Sequence, residues 1–293
     1  MKLKSLVVIA FLGSSLFVSA KKRVDNVFYV QNTIDGFKNI PRQKLEKVRL
    51  LKNIGFDGLE GAGLSDFYEL RSDLEQVGLH MPTNYVSLSF GSKISKGSAS
   101  IAEIKEMIKG AEKGSVVYFN VQSEDYKNNK DAGDKILSVI LQDLSDYASN
   151  YGVKLCVYPH LFLYCETLEH SLKLAKLVSR NNFGCVINLC HLLKVEGSEG
   201  IEQKIKSLMP YLIAVNICGA DGGNTQQLGW DRLIQPLGEG SFDTYNFVRI
   251  LWDAKYKGPV GLQCYNLKGE ALEVLTSSFQ TFQAYKKRYA NQK

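Results

Sequence analysis

The chain has 293 residues, 45% hydrophobic and 23% charged, with 36 Lys and Arg against 30 Asp and Glu for a formal net charge of +6. No Lys/Arg block with interleaved aromatics appears, which argues against a dedicated nucleic-acid surface. The length favours one large core over two domains, since α/β barrels of about 250 residues fold as single units.

At the start, Lys2 and Lys4 precede an apolar run from Leu6 to Phe17 and the small-residue pattern Val18-Ser19-Ala20. This reads as a secretory signal peptide over residues 1–20, the run being short for a membrane anchor, which is the other reading. No Cys follows where a lipoprotein would need one, so the expected mature chain, residues 21–293, is periplasmic or secreted with no stable membrane anchor. Losing Lys2 and Lys4 lowers its formal charge to +4, and Lys21-Lys22-Arg23 reads as its polar start.

Short apolar runs then alternate with amphipathic stretches. The expected strands are Val27 to Val30, Gly58 to Glu60, Leu79 to Asn84, Val116 to Val121, Lys154 to Tyr158, Gly184 to Asn188, Ile213 to Ile217 and Val260 to Cys264. Between them, Ile136, Val139, Ile140, Leu144, Tyr147 and Ala148 recur at helical spacing, which predicts an apolar stripe against a sheet. Pro41 stands near the start of the first expected helix, where its missing donor costs nothing. Eight alternations of strand and helix imply parallel strands with right-handed crossovers, and a closed (β/α)8 TIM barrel is the expected fold. An open doubly wound sheet is the rival, but Gly58-Leu-Glu-Gly-Ala-Gly63 lacks the spacing and context of a dinucleotide-binding loop. Ser87 to Ser98 and Gly219 to Gly240 are the long inserts, both expected on the catalytic face.

Six cysteines in an exported chain raise the question of disulfides, but Cys156, Cys185, Cys218 and Cys264 fall inside strand-like runs, which favours buried free thiols. Reactive groups of such a barrel sit at strand exits, and these carry a ring of polar side chains: Gln31 and Asn32, Glu60, Asn84 and Tyr85, Asn120 and Gln122, then Tyr158, His160, Asn188, His191, Asn216, Gln263 and Tyr265. The ring suits a polyol-sized ligand. Glu60 is an expected acid or base if burial raises its pKa, with loop ordering as the alternative. His160 and His191, at neighbouring exits, are expected catalytic groups, although a lone histidine is usually structural. Lys194, three residues past His191, is expected to enter the same pocket and stabilise an oxyanion, or else to be an exposed loop lysine. Asp221, Glu239 and Asp243 could bind hydroxyls, Asp243 having a helix N-cap explanation as well.

Four segments, Gly184-Cys-Val-Ile-Asn-Leu-Cys-His-Leu-Leu-Lys-Val-Glu-Gly197, Val215-Asn-Ile-Cys-Gly-Ala-Asp221, Ile234-Gln-Pro-Leu-Gly-Glu-Gly-Ser-Phe-Asp243 and Tyr256-Lys-Gly-Pro-Val-Gly-Leu-Gln-Cys-Tyr265, carry a family resemblance. They resemble the sugar phosphate isomerase/epimerase family with a xylose-isomerase-like TIM barrel, in outline over about residues 27–285. The resemblance implies a (β/α)8 fold acting on a sugar or related carbonyl compound. Metal-dependent members hold a divalent cation at strand ends, and the matching positions here are Tyr158, Asn188, Asn216 and Gln263, neutral where anionic ligands would stand. No cofactor is therefore expected, the alternative being a divalent metal on a reduced site of Glu60, His160 and His191.

The leading expectation is an exported enzyme that isomerises, epimerises or eliminates by proton transfer next to a sugar carbonyl, on a free, oxidised or glycosidic sugar. Glu60, His160, His191 and Lys194 would act, and Tyr158, Asn188, Asn216, Asp221, Gln263 and Tyr265 would bind the carbohydrate. The alternative is a non-catalytic carbohydrate-binding barrel that has lost its metal site. A third reading, cutting of DNA at abasic sites as in a related barrel family, is opposed by the missing ligand set and the export signal.

Overall fold

A computed structural model describes residues 24–292. The expected signal peptide, residues 1–20, lies outside them. Nine parallel strands form the sheet: β1 (Phe28–Val30), β2 (Gly58–Leu59), β3 (Gly61–Ala62), β4 (Thr83–Ser89), β5 (Val116–Gln122), β6 (Lys154–Val157), β7 (Phe183–Asn188), β8 (Leu212–Ile217) and β9 (Val260–Leu262). Their order is β2-β1-β9-β8-β7-β6-β5-β4-β3. Because β2 and β3 are separated by Glu60 alone, the two ends of that order meet there, and the sheet closes into a single-domain TIM barrel with helices alternating outside.

The second expected strand is thus split at its functional residue. Before Glu60 the segment is paired with β1, and after it with β4 through Gly61 opposite Asn84 and Ala62 opposite Tyr85. The third strand corrects the sequence reading. It runs Thr83–Ser89, in continuous register with β5 from Thr83 opposite Val116 to Ser89 opposite Gln122, rather than Leu79 to Asn84. Pro82 has no N–H to give a ladder, so the continuous strand starts after it, with only an isolated bridge from His80 to Gly58 before it, and the first residues of the expected Ser87 to Ser98 insert belong to the strand.

The long helix Lys130–Ser149 keeps four of the six expected apolar positions on the core, Leu144 and Ala148 buried and Ile140 and Tyr147 partly buried. Its inward stripe is Leu137, Leu141, Leu144 and Ala148, while Ile136 and Val139 are exposed. The 137, 141, 144, 148 spacing keeps one face on the sheet, and the neighbouring apolar positions flank it. All six cysteines are buried free thiols, as the strand-like settings of Cys156, Cys185, Cys218 and Cys264 lead one to expect of those four. Asp243 caps the helix Thr244–Asp253, its carboxylate accepting from Asn246 N at 2.8 Å.

Inside the barrel the packing is partly polar. Tyr29 Oη lies 2.7 Å from Tyr118 Oη and donates to Asn216 Oδ1 at 2.9 Å. Gly261 makes room for them, since a Cβ there would stand 2.3 Å from Asn216 Oδ1 and 2.7 Å from the Tyr29 ring. Among the described residues no helix is long and apolar enough to cross a membrane.

Candidate active site

A cavity of about 350 Å³ opens over the C-terminal ends of the strands. Glu60, Gln31 and Gln263 line it together with Tyr85, Tyr158 and the pair His160 and His191. Trp230, Ile234, Leu161, Phe162 and Tyr265 supply apolar surface.

Glu60 is 1% exposed. Thr83 Oγ1 donates to its Oε2 at 2.8 Å and Gln31 Nε2 to its Oε1 at 3.4 Å. Burial penalises the carboxylate more than these bonds help it and pushes the group up to about 7. A carboxyl so poised gains or loses a proton near neutral pH, as a general base needs.

The histidines form a contact pair with ring centroids 4.0 Å apart. His160 Nδ1 lies 2.7 Å from Leu161 O, which can only accept, so Nδ1 carries the proton and Nε2 keeps its lone pair. His191 is held between rings, 5.9 Å from Tyr158 and 5.2 Å from Trp230, and its buried Nδ1 has no partner. Burial, then the neighbouring His160, pushes His191 down to about 3, and burial lowers His160 as well. Both rings are therefore neutral at pH 7. Tyr158 Oη accepts a bond from Asn188 Nδ2, which leaves the phenolic proton for another acceptor. Gln263 Oε1 accepts from Thr33 Oγ1 and from Tyr265 N, both at 2.9 Å.

The structure therefore gathers Glu60, His160, His191, Tyr158, Gln263 and Tyr265 around one space. It places the other expected residues elsewhere. Lys194 does not enter the cavity, because its ammonium donates to Gln226 O and Leu228 O, both at 2.8 Å, and ties down the loop that carries Trp230. Asp221 is bound to Arg232, to Gln235 Nε2 at 3.0 Å and to Ser241 N at 3.1 Å, which orders the same long loop. Asn188 caps the helix Leu189–Glu196, its Oδ1 accepting from Cys190 N at 3.2 Å. Asn216 sits wholly buried in the tyrosine network. Sequence reasoning missed Thr83, Thr33, Phe162 and Trp230. Their available signal was position, the first two beside strand-exit amides and the others as apolar residues in strand-end loops.

The donor set does not fit a divalent cation of the kind the family resemblance implies. The side-chain oxygens of Asn188, Asn216 and Gln263 already accept bonds within the protein. Among the described residues no three His, Cys, Asp or Glu side chains group as ligands, so Glu60, His160 and His191 share a cavity without forming a cage.

Residues 48–281 match the family model for the xylose isomerase-like TIM barrel. The chain belongs to that family. No curated protein matches it by sequence. Among solved structures, this family member resembles the apo 3-keto-D-glucoside 4-epimerase of E. coli, with 18% identity, 89% of this chain and 100% of that one covered, and a TM-score of 0.68. It also resembles the D-psicose 3-epimerase of Clostridium cellulolyticum H10 with D-tagatose, at 13% identity, 90% and 99% coverage and TM-score 0.64. A probable 3-DHS dehydratase from Bacillus anthracis gives 13%, 87%, 98% and 0.67. At such identities the likeness is one of fold.

Proposed function

We propose that this barrel catalyses proton transfer next to the carbonyl of a neutral sugar without a divalent cation. The observation that carries the reading is Glu60, buried at the cavity wall and poised at about 7, with a neutral histidine pair lining the same small space. Glu60 takes the proton from the carbon adjoining the carbonyl, and the C–H electron pair moves toward the carbonyl oxygen to give an enolate. The phenolic proton of Tyr158 and the Nε2 hydrogens of Gln263 are the donors this cavity offers to that oxygen. Return of a proton to the same carbon from the other face epimerises, return to the neighbouring carbon isomerises, and loss of a substituent from the β-carbon eliminates. A 3-keto-glycoside or a ketose has the required acidic C–H, and the names of the structural neighbours favour those classes. The signal-like first twenty residues favour sugars met outside the cytoplasm, free or glycosidic rather than phosphorylated.

The test is solvent deuterium exchange, followed by NMR on methyl 3-keto-glucoside, D-psicose and D-tagatose, with excess EDTA and with added Mn²⁺. Exchange that EDTA leaves intact and Glu60→Gln reduces at least ~100-fold supports the proposal. Exchange with none of them, or exchange that needs Mn²⁺, overturns it. Sugar binding without exchange is the outcome expected of a non-catalytic carbohydrate-binding barrel. The observation favouring that second reading is the internal engagement of the Asn188, Asn216 and Gln263 oxygens.

A further inference from the structure

The cavity mouth carries a costly feature that proton transfer does not use. Phe162 is 87% exposed and adopts φ 70°, the left-handed region that a bulky side chain rarely enters. The turn that presents it is pinned from several directions. Leu163 N donates to His160 O at 3.1 Å and His160 N to Cys165 O at 2.9 Å, while Tyr164 N reaches Val121 O of β5 at 2.9 Å. Phe162 N itself donates to the Glu166 carboxylate at 2.6 Å. A fixed turn thus holds a large apolar ring in water, in strained backbone, on the lining of the cavity. Tyr265, 56% exposed, and Trp230 add two more aromatic surfaces to the same lining.

The polar groups further in have the opposite character. Gln31, Gln263 and His191 line the cavity there, and Gln31 Oε1 and His191 Nδ1 have no hydrogen-bond partner within the protein. No Lys or Arg lines the cavity, both histidines are neutral at pH 7, and the one carboxyl is Glu60. A phosphate or carboxylate entering this space would meet no counter-charge. A sugar ring with an apolar or ring-shaped aglycone would satisfy both halves, its hydroxyls meeting the inner amides and its outer group lying on aromatic faces.

We propose that the 160–165 turn is a specificity platform, with Phe162 as the aromatic surface on which the aglycone or second ring of a neutral glycoside rests. The proposal takes from the preceding reading only that the sugar ring occupies the cavity. Its test is a set of binding titrations with methyl β-D-glucopyranoside, phenyl β-D-glucopyranoside and glucose 6-phosphate. The readout is tryptophan fluorescence, Trp230 being in the lining while Trp252 is buried against Phe282 and Tyr289.

The phenyl glycoside is expected to bind about tenfold more tightly than the methyl glycoside, and glucose 6-phosphate more weakly than either. Phe162→Ala should remove most of the phenyl advantage, with a smaller loss for the methyl glycoside. Phe162→Gly should do the same while leaving Tm unchanged or higher, because glycine adopts positive φ without strain. Absence of a phenyl preference in the wild type, its survival in Phe162→Ala, or tightest binding of glucose 6-phosphate would each overturn the platform. A lower Tm in Phe162→Gly would assign the ring to packing, and a change of sedimentation in Phe162→Ala would assign it to contact with a second copy of the chain. These glycosides have no ketone and undergo no exchange, so the platform and the proton-transfer reading can fail separately.

Discussion

Replacing Glu60 by Gln should make the protein more stable at alkaline pH, and the size of the gain follows from the burial of the carboxyl. Its pKa rises from an ordinary 4.5 to about 7 in the fold, chiefly through desolvation. Between these values the folded protein keeps a proton that the unfolded chain has released, so stability is lost as pH rises through the window. Each unit is worth about 1.4 kcal/mol, and the penalty that accumulates from pH 5 to pH 8 is of order 2 to 3 kcal/mol. The isosteric amide carries no charge to desolvate. It can still accept from Thr83 Oγ1, and rotation of the Gln31 amide would let the Oε1 that now lacks a partner accept from the new NH₂.

Urea unfolding of wild type and Glu60→Gln at half-unit pH steps tests this. The difference between the two curves should widen steadily toward pH 8, shifting the midpoint by on the order of 1 M. Taking the difference cancels the contribution of His191, which runs the other way. Its folded pKa of about 3 means that stability is lost as pH falls below its ordinary 6.5. Parallel curves for the two proteins across pH 5 to 8 would refute the claim that the fold raises the Glu60 pKa.

The same pKa gives the exchange reaction a rising limb centred near pH 7, since a base must be ionised to act; a flat profile from pH 5 to 9 would remove Glu60 from that role. Lys194→Ala, which removes two bonds to loop carbonyls, should lower Tm by about 2–4 °C and change the exchange rate far less than Glu60→Gln, as calorimetry and the NMR assay would show. Asn188→Ala should cost about 1–2 kcal/mol in urea unfolding, because it strips the helix cap and the bond to Tyr158 together. Gly261→Ala should destabilise by at least about 1–3 kcal/mol, since the new methyl meets Asn216 and Tyr29 inside the closed barrel, and soluble protein with unchanged Tm would contradict that packing.

The barrel was legible because it rests on local regularities. Apolar runs such as Val116 to Val121 and Gly184 to Asn188 are buried on both faces in the sheet, a signature that survives without knowledge of neighbours. Boundaries were less legible where pairing decides them. Nothing local in Leu79 to Asn84 tells that the ladder with Val116 begins at Thr83, so the apolar run alone puts the third strand several residues early. Ile136 and Val139 share helical spacing with the buried positions yet are exposed, since spacing alone does not choose between adjacent stripes.

At the site, strand-exit position identified Glu60, His160, His191, Tyr158, Gln263 and Tyr265 as neighbours, because a closed barrel forces successive strand ends onto one rim. Residue type could not tell which amides face the cavity and which serve the fold. Asn188 and Asn216 share the strand-exit placement of Gln263, yet one caps a helix and the other is sealed among tyrosines. Lys194 and Asp221 lie close to the site in sequence and are claimed by carbonyls and by Arg232 that only folding brings near. The sequence by itself therefore determined the barrel and the composition of its mouth, through periodicity and chain order. Tertiary structure alone decided which polar groups are spent on one another and which line the cavity, because hydrogen bonds between residues thirty or more positions apart depend on distances that no local pattern contains.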